Sequence, residues 1–127
     1  MAVSTEIDLE AAQGATFRQT ILAQNPDLTA YDLTGCTASM SIKSKYTDTA
    51  TVVPALTSSN GGLALGGVTG YVSIYISAAS TLLIKVPALT GLPPTTVYVY
   101  DINIVIPSGD TKRLCYGKFT VDSTVNK

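Results

Sequence analysis

A chain of 127 residues with 46% apolar side chains has the size and core material of one domain, with no surplus for a second. Eight basic and nine acidic side chains leave a net charge of −1 with no block of either sign, which argues against nucleic acid as a partner. No apolar run approaches the roughly 20 residues of a membrane helix, and Met1 to Glu10 is polar and acidic where a secretory leader would be basic and then apolar, so the expectation is a protein made and kept in water, away from membranes.

Glu6 to Glu10 alternates Ile7 and Leu9 with three carboxylates, the period of a half-buried strand. Gln13-Gly14 breaks it. Thr16 to Ala23 is a second strand with Phe17 and Ile21 inward, ended by Asn25-Pro26-Asp27. Leu33-Thr34-Gly35 leads into Cys36 to Lys43, where Cys36, Ala38, Met40 and Ile42 alternate with Thr, Ser and Lys. Thr49 to Thr57 is a weaker strand, placed at a sheet edge or bulge by Pro54. Two Gly-Gly pairs then flank a short strand at Leu63-Ala64-Leu65. A phosphate-cradling loop would need a helix start and a Lys or Ser/Thr in register, so these glycines read as turns.

Tyr71 to Ile76 turns Val72, Ile74 and Ile76 inward and leaves Tyr71 and Tyr75 on the outer face. Ser77 can cap one or two helical turns over Ala78 to Ile84, and Pro87, Pro93 and Pro94 forbid more. The strongest hairpin follows: Thr96 to Ile106, the tip Pro107-Ser108-Gly109-Asp110, and Thr111 to Val121. On its arms Tyr98, Tyr100, Ile102, Ile104 and Ile106 share one face, as do Cys115, Gly117, Phe119 and Val121, which leaves Val97 and Val99 outward. Asp122 to Lys127 is a polar tail expected to fray.

Seven or eight short strands and one brief helix predict an all-β fold, an immunoglobulin-like antiparallel β-sandwich. It forms a single domain over 1–127, with the packed body at about 6–121. There is no tryptophan, so the likeness to antibody domains is architectural.

The chain has no histidine, which removes Ser-His-Asp, Cys-His and His-rich metal sites together. Asp8 and Glu10 share a strand face, a pattern that fits a solvated edge better than an acid/base pair. Asp27 and Asp32, and Asp101 or Asp110, are isolated carboxylates that leave a calcium site as the minor reading. Cys36 and Cys115 admit free thiols, a cross-sheet disulfide or, least of all, a metal site. The expectation is therefore no enzyme, no cofactor and no metal. The seven tyrosines serve either as core and protein interface or as a sugar-stacking platform. Tyr71, Tyr75, Val97 and Val99 are the candidate interface residues. A surface so lightly charged is either Ser/Thr-rich or covered by other subunits.

The order of motifs carries a resemblance. Ile7-Asp8-Leu9 with Gln13 to Phe17, Tyr31 to Ala38, Ile76 to Ala79, Tyr98 to Asp101 and Ser108 to Leu114 together resemble small tailed-bacteriophage virion domains, the β-sandwich modules of tail fibres, baseplates and collars, including the N-terminal module of upper baseplate proteins. The resemblance spans about Ile7 to Val121. It implies a virion structural protein, made in the bacterial cytoplasm and located in the virion, acting as an adaptor, fibre-attachment piece or decoration subunit. Its implied partners are other proteins of the tail, baseplate, collar or capsid, and copies of itself in a homo-oligomer. It assigns structural turns to Asp32 and Gly35 and to Ser108 and Gly109, and no catalytic residue. The sequence stops soon after the sandwich, where baseplate and fibre proteins continue, so the expectation is a small stand-alone subunit. The other reading is a carbohydrate-binding or host-recognition module.

Overall fold

The alternating stretches become strands in a computed structural model that describes residues 5–25, 27–45, 47, 51, 56–84 and 95–122. In chain order these are β1 (Thr5–Glu6), β2 (Leu9–Ala12), β3 (Phe17–Leu22), β4 (Thr37–Lys43), β5 (Leu56–Thr57), β6 (Leu63–Leu65), β7 (Tyr71–Ile76), the helix α1 (Ala78–Leu82), β8 (Thr95–Val105) and β9 (Thr111–Asp122). The readings placed on Pro26, Pro54, Pro87, Pro93, Pro94 and the tail beyond Asp122 lie outside the described residues. Asp122 itself belongs to β9 and not to the tail. The Ser77 hydroxyl accepts the Ser80 N–H at 3.2 Å, the cap that starts α1.

The strands divide between two sheets. The larger runs β1-β9-β8-β4-β5, with β2 also on β9; the smaller runs β3-β7-β6. The last hairpin forms the middle of one sheet, while the strand after the first corner pairs with the strand before the helix in the other. This is an immunoglobulin-like β-sandwich. β5 lies at the edge of its sheet, beside β4.

Two details differ from the simple alternation. The first expected strand is in two pieces, which raises the count among the described residues to nine, and both pieces run parallel to β9. Their register is continuous, Glu6 opposite Tyr116 and Leu9 opposite Phe119. Between them the Ile7 carbonyl crosses Gly117 so closely that a Cβ there would overlap it. The break is therefore a local approach of backbones across Gly117.

The second departure is a bulge. Ile102 pairs with Cys115 but Asn103 with Arg113, so Leu114 is the extra residue, and Leu114 and Cys115 are both buried. Val72, Ile74 and Ile76 of the smaller sheet and Met40, Ile42, Ile102, Ile104 and Phe119 of the larger are nearly inaccessible, as parity requires, while Gln19, of inward parity in β3, is exposed. Phe17 and Phe119 meet edge-on across the two sheets, with ring centroids 5.2 Å apart. Each such aliphatic or aromatic side chain contributes roughly 1.5–3 kcal/mol by leaving water.

Candidate functional site

The pairing of β3 with β7 builds the outer face of the smaller sheet. Its register sets Arg18 opposite Tyr75, Thr20 opposite Ser73 and Leu22 opposite Tyr71, all with outward parity. Tyr71 is 48% exposed, Leu22 41% and Tyr75 38%, so three large side chains stand together on one sheet face. The Arg18 guanidinium lies 4.6 Å from the Tyr75 ring centroid, a stacked cation that holds the ring in place. Thr20 and Ser73 share a hydroxyl contact of 3.3 Å between the two rings' rows. A shallow groove of about 440 Å³ runs over this face, lined by Arg18, Gln19, Thr20, Ala64, Ser73 and Tyr75 among others.

Its lining combines an aromatic face, hydroxyls, an amide and one cation, with no carboxylate. Such a surface offers contact area and hydrogen-bonding groups. The sequence reading named Tyr71 and Tyr75 but missed Arg18 and Leu22. Their outward parity in Thr16 to Ala23 was the available signal.

Val97 and Val99 do not join the tyrosines. They sit on β8, on the outer face of the larger sheet, on the opposite side of the sandwich. Val97 is 52% exposed, and Val99 lies half-buried between Lys43 and Lys118. The four candidate interface residues thus form two surfaces.

The turn residues are brought together. Asp32 Oδ1 accepts the Thr34 N–H at 2.9 Å, and its bonds to the Thr34 side chain and backbone hold the carboxyl below its ordinary value. Gly35 follows at φ 76°, and a Cβ there would stand 3.0 Å from Pro107 Cγ, at the base of the hairpin tip. The tip through Ser108 and Gly109 is closed by Gly109 N–H to Ile106 O at 2.8 Å and Ile106 N–H to Asp110 O at 3.0 Å. The Asp32-Gly35 turn and the Ser108-Gly109 tip therefore abut at one end of the sandwich.

The other candidates are scattered. Asp8 Oδ1 accepts the Lys118 N–H at 3.1 Å, and Asp27 Oδ1 accepts from Thr29, which lowers the Asp27 pKa. Among the described residues no three His, Cys, Asp or Glu side chains gather as a metal site would require. Cys36 and Cys115 are free thiols, the first half-buried and the second buried. Burial pushes Cys115 up to about 11, with the neighbouring Tyr100 hydroxyl acting in the opposite direction. Tyr98 is likewise raised by burial. No described helix is long and apolar enough to cross a membrane.

Two buried polar residues escaped the sequence reading. Gln13 and Thr81 clamp the first corner to α1: Gln13 Nε2 donates to Ile84 O at 2.8 Å, and Thr81 Oγ1 accepts the Gly14 N–H at 3.1 Å and donates to Ala15 O at 2.8 Å.

No protein-family model matches the chain, and no curated protein matches it. Among solved structures it is similar to murine CRIg, at 13% identity over 100% of this chain and 98% of that one, with a TM-score of 0.36. It is also similar to the ASH/PapD-like domain of human CEP192 (PapD-like domain 7), at 8% identity over 98% of this chain and 82% of that one, with a TM-score of 0.29. The strand order of the two sheets defines the class of protein, a β-sandwich with a tyrosine-bearing face on the smaller sheet.

Proposed function

We propose that this chain is a structural subunit of a bacteriophage virion, an adaptor, fibre-attachment piece or decoration protein that works by binding other virion proteins and catalyses no reaction. The phage assignment rests on the order of motifs from Ile7 to Val121. The contact role is supported by the face that carries Leu22, Tyr71 and Tyr75 beside an Arg18 stacked on Tyr75. Tyrosine and arginine are the side chains that most often anchor protein interfaces, because they offer large, stiff area with a polar end. The test is immunogold labelling and peptide mass spectrometry of purified particles from the phage that encodes the chain. Gold on the particle, and its loss when Tyr71 and Tyr75 are both changed to Asp, is the expected result. Particles that contain no copy of the chain overturn the proposal.

A second reading is favoured by the groove itself, whose Tyr75 ring, Arg18 cation and Thr20 and Ser73 hydroxyls suit a sugar ring with its hydroxyls. Binding on a glycan array that vanishes in Tyr75→Ala would put carbohydrate recognition ahead of protein contact.

A further inference from the structure

The outer face of the larger sheet carries an ordered charge pattern. Pairing aligns residues of the β1–β2 segment, β9, β8 and β4 into rows. One row runs Asp8, Lys118, Val99, Lys43; the next runs Glu6, Tyr116, Asp101, Ser41. A third holds Glu10, Thr120 and Val97. One margin of the face is therefore a column of three exposed carboxylates, Glu6, Asp8 and Glu10. On the other side of the face β4 carries Lys43, with the exposed Lys45 just beyond its end, and β5 lies outside β4 at the level of Ser39 and Met40. Between the two sides lies the exposed apolar surface of β8, Val97 and Val105 at 52% and 39%, with the half-buried Val99.

We propose that this face pairs with a second copy of the same chain, about a two-fold axis that runs parallel to the strands between β8 and β9. A two-fold axis that packs two faces together lies in their common plane, and its two limiting directions are along the strands and across them. An axis across the strands returns each column to itself and sets the carboxylates of one copy against those of the other. An axis along the strands exchanges the two sides. It brings Asp8 over Lys43 of the second copy, lays the Lys118 stem on Val99 of the second copy and faces Tyr116 with Asp101 of the second copy. Arg113, stacked 4.3 Å from the Tyr116 ring centroid, adds a positive group beside that Asp101. Charge complementarity thus selects one of the two arrangements, and it selects the chain itself as occupant because both signs stand on opposite sides of the same face. A net charge of −1 gives little long-range repulsion between copies. The pairing rests on this face alone and stands whether or not the chain belongs to a virion.

Sedimentation equilibrium of the full chain, from about 1 µM to about 500 µM at low salt, reads the mass directly. The expected result is an approach to twice the 13.2 kDa chain mass, weakened by added salt. Asp8→Lys and Lys43→Glu each place like charges together and weaken association by about tenfold or more, while the double exchange D8K/K43E returns to within about threefold of the parent. Glu10→Lys is the companion variant, since Asp8 also holds the Lys118 amide and its loss could disturb the strand; circular dichroism checks that each variant is folded. Val68→Ser, on the exposed turn before β7 of the smaller sheet, leaves the mass unchanged. A monomer throughout the range, a dimer indifferent to folded single reversals, or a double variant no better than the singles overturns the proposal.

Discussion

The Tyr100 hydroxyl donates to the Ile7 carbonyl at 2.5 Å and so ties β8 to the N-terminal strand across 93 positions of sequence. The same Ile7 donates its N–H to Tyr116 O at 2.8 Å, which anchors the segment from two sides. Tyr100→Phe keeps the buried ring and removes only the donor. The expected loss is about 1 kcal/mol, the ordinary net worth of such a bond. Urea unfolding checks it: the midpoint falls with an unchanged slope, because the surface exposed on unfolding is the same.

Gly117 lies where that segment crosses β9. A Cβ there would overlap the Ile7 carbonyl oxygen and stand 3.1 Å from Asp8 Oδ1. Gly117→Ala must push the strand off its neighbour, with an expected cost of about 2–3 kcal/mol. The displaced Asp8 would release the Lys118 amide, whose bond to Asp8 Oδ1 is 3.1 Å long. Hydrogen exchange at Lys118 should therefore accelerate in this variant well beyond amides of β4, which do not touch the segment.

Thr81 is fully buried and satisfies two backbone groups of the first corner, the Gly14 N–H and the Ala15 carbonyl. Thr81→Val preserves its shape and leaves both groups without that partner. The expected destabilisation is about 1–3 kcal/mol, the cost of stranding polar groups away from water. Thermal unfolding of Thr81→Val beside Thr81→Ser separates the hydroxyl from the methyl: Ser recovers the bonds and should lie closer to the parent.

Alternation alone located most of the sandwich. Cys36 to Lys43 alternates so regularly that Ala38, Met40 and Ile42 are buried where the pattern puts them. Ser77 marks the helix start by a local capping bond that needs no tertiary context. What parity could not supply is the sheet to which a strand belongs. Tyr71, Tyr75, Val97 and Val99 are all outward by the same rule, yet β7 and β8 lie in different sheets and present opposite faces. The bulge at Ile102 was equally hidden, since one extra residue in β9 leaves no compositional mark. Gln13 and Thr81 look like ordinary turn and helix residues until the fold brings α1 beside the first corner. The Arg18-Tyr75 stack needs two strands separated by more than fifty residues to be set in register.

Gly35 joins the two structural turns. Its φ of 76° is a conformation that side chains rarely adopt, and its Cβ position is crowded by Pro107. Gly35→Ala should cost about 1–2 kcal/mol from backbone strain. A chemical-shift map should show the perturbation reaching Ser108 and Gly109 on the hairpin tip while leaving β3 and β7 unmoved.

The buried thiol gives the pH dependence. Cys115 is 1% exposed, and its pKa rises from the ordinary value near 9 to about 11, chiefly through desolvation. In the unfolded chain the thiol loses its proton near pH 9; in the folded chain it keeps it to about pH 11. The unfolded state then binds fewer protons than the folded state over that window, so stability falls as pH rises. The contribution is fully present below pH 9 and lost by about pH 11, amounting to about 2–3 kcal/mol. Tyr98, also raised by burial, titrates in the same direction, so the thiol must be isolated by difference. Cys115→Val removes the thiol and adds one carbon, and the packing cost of that carbon, being independent of pH, cancels when pH dependences are compared. Urea unfolding of both proteins at several pH values should show the parent losing more stability than Cys115→Val between pH 9 and 11, and equal slopes below pH 8. Parallel curves across the whole alkaline range would show that Cys115 is solvated in the folded protein.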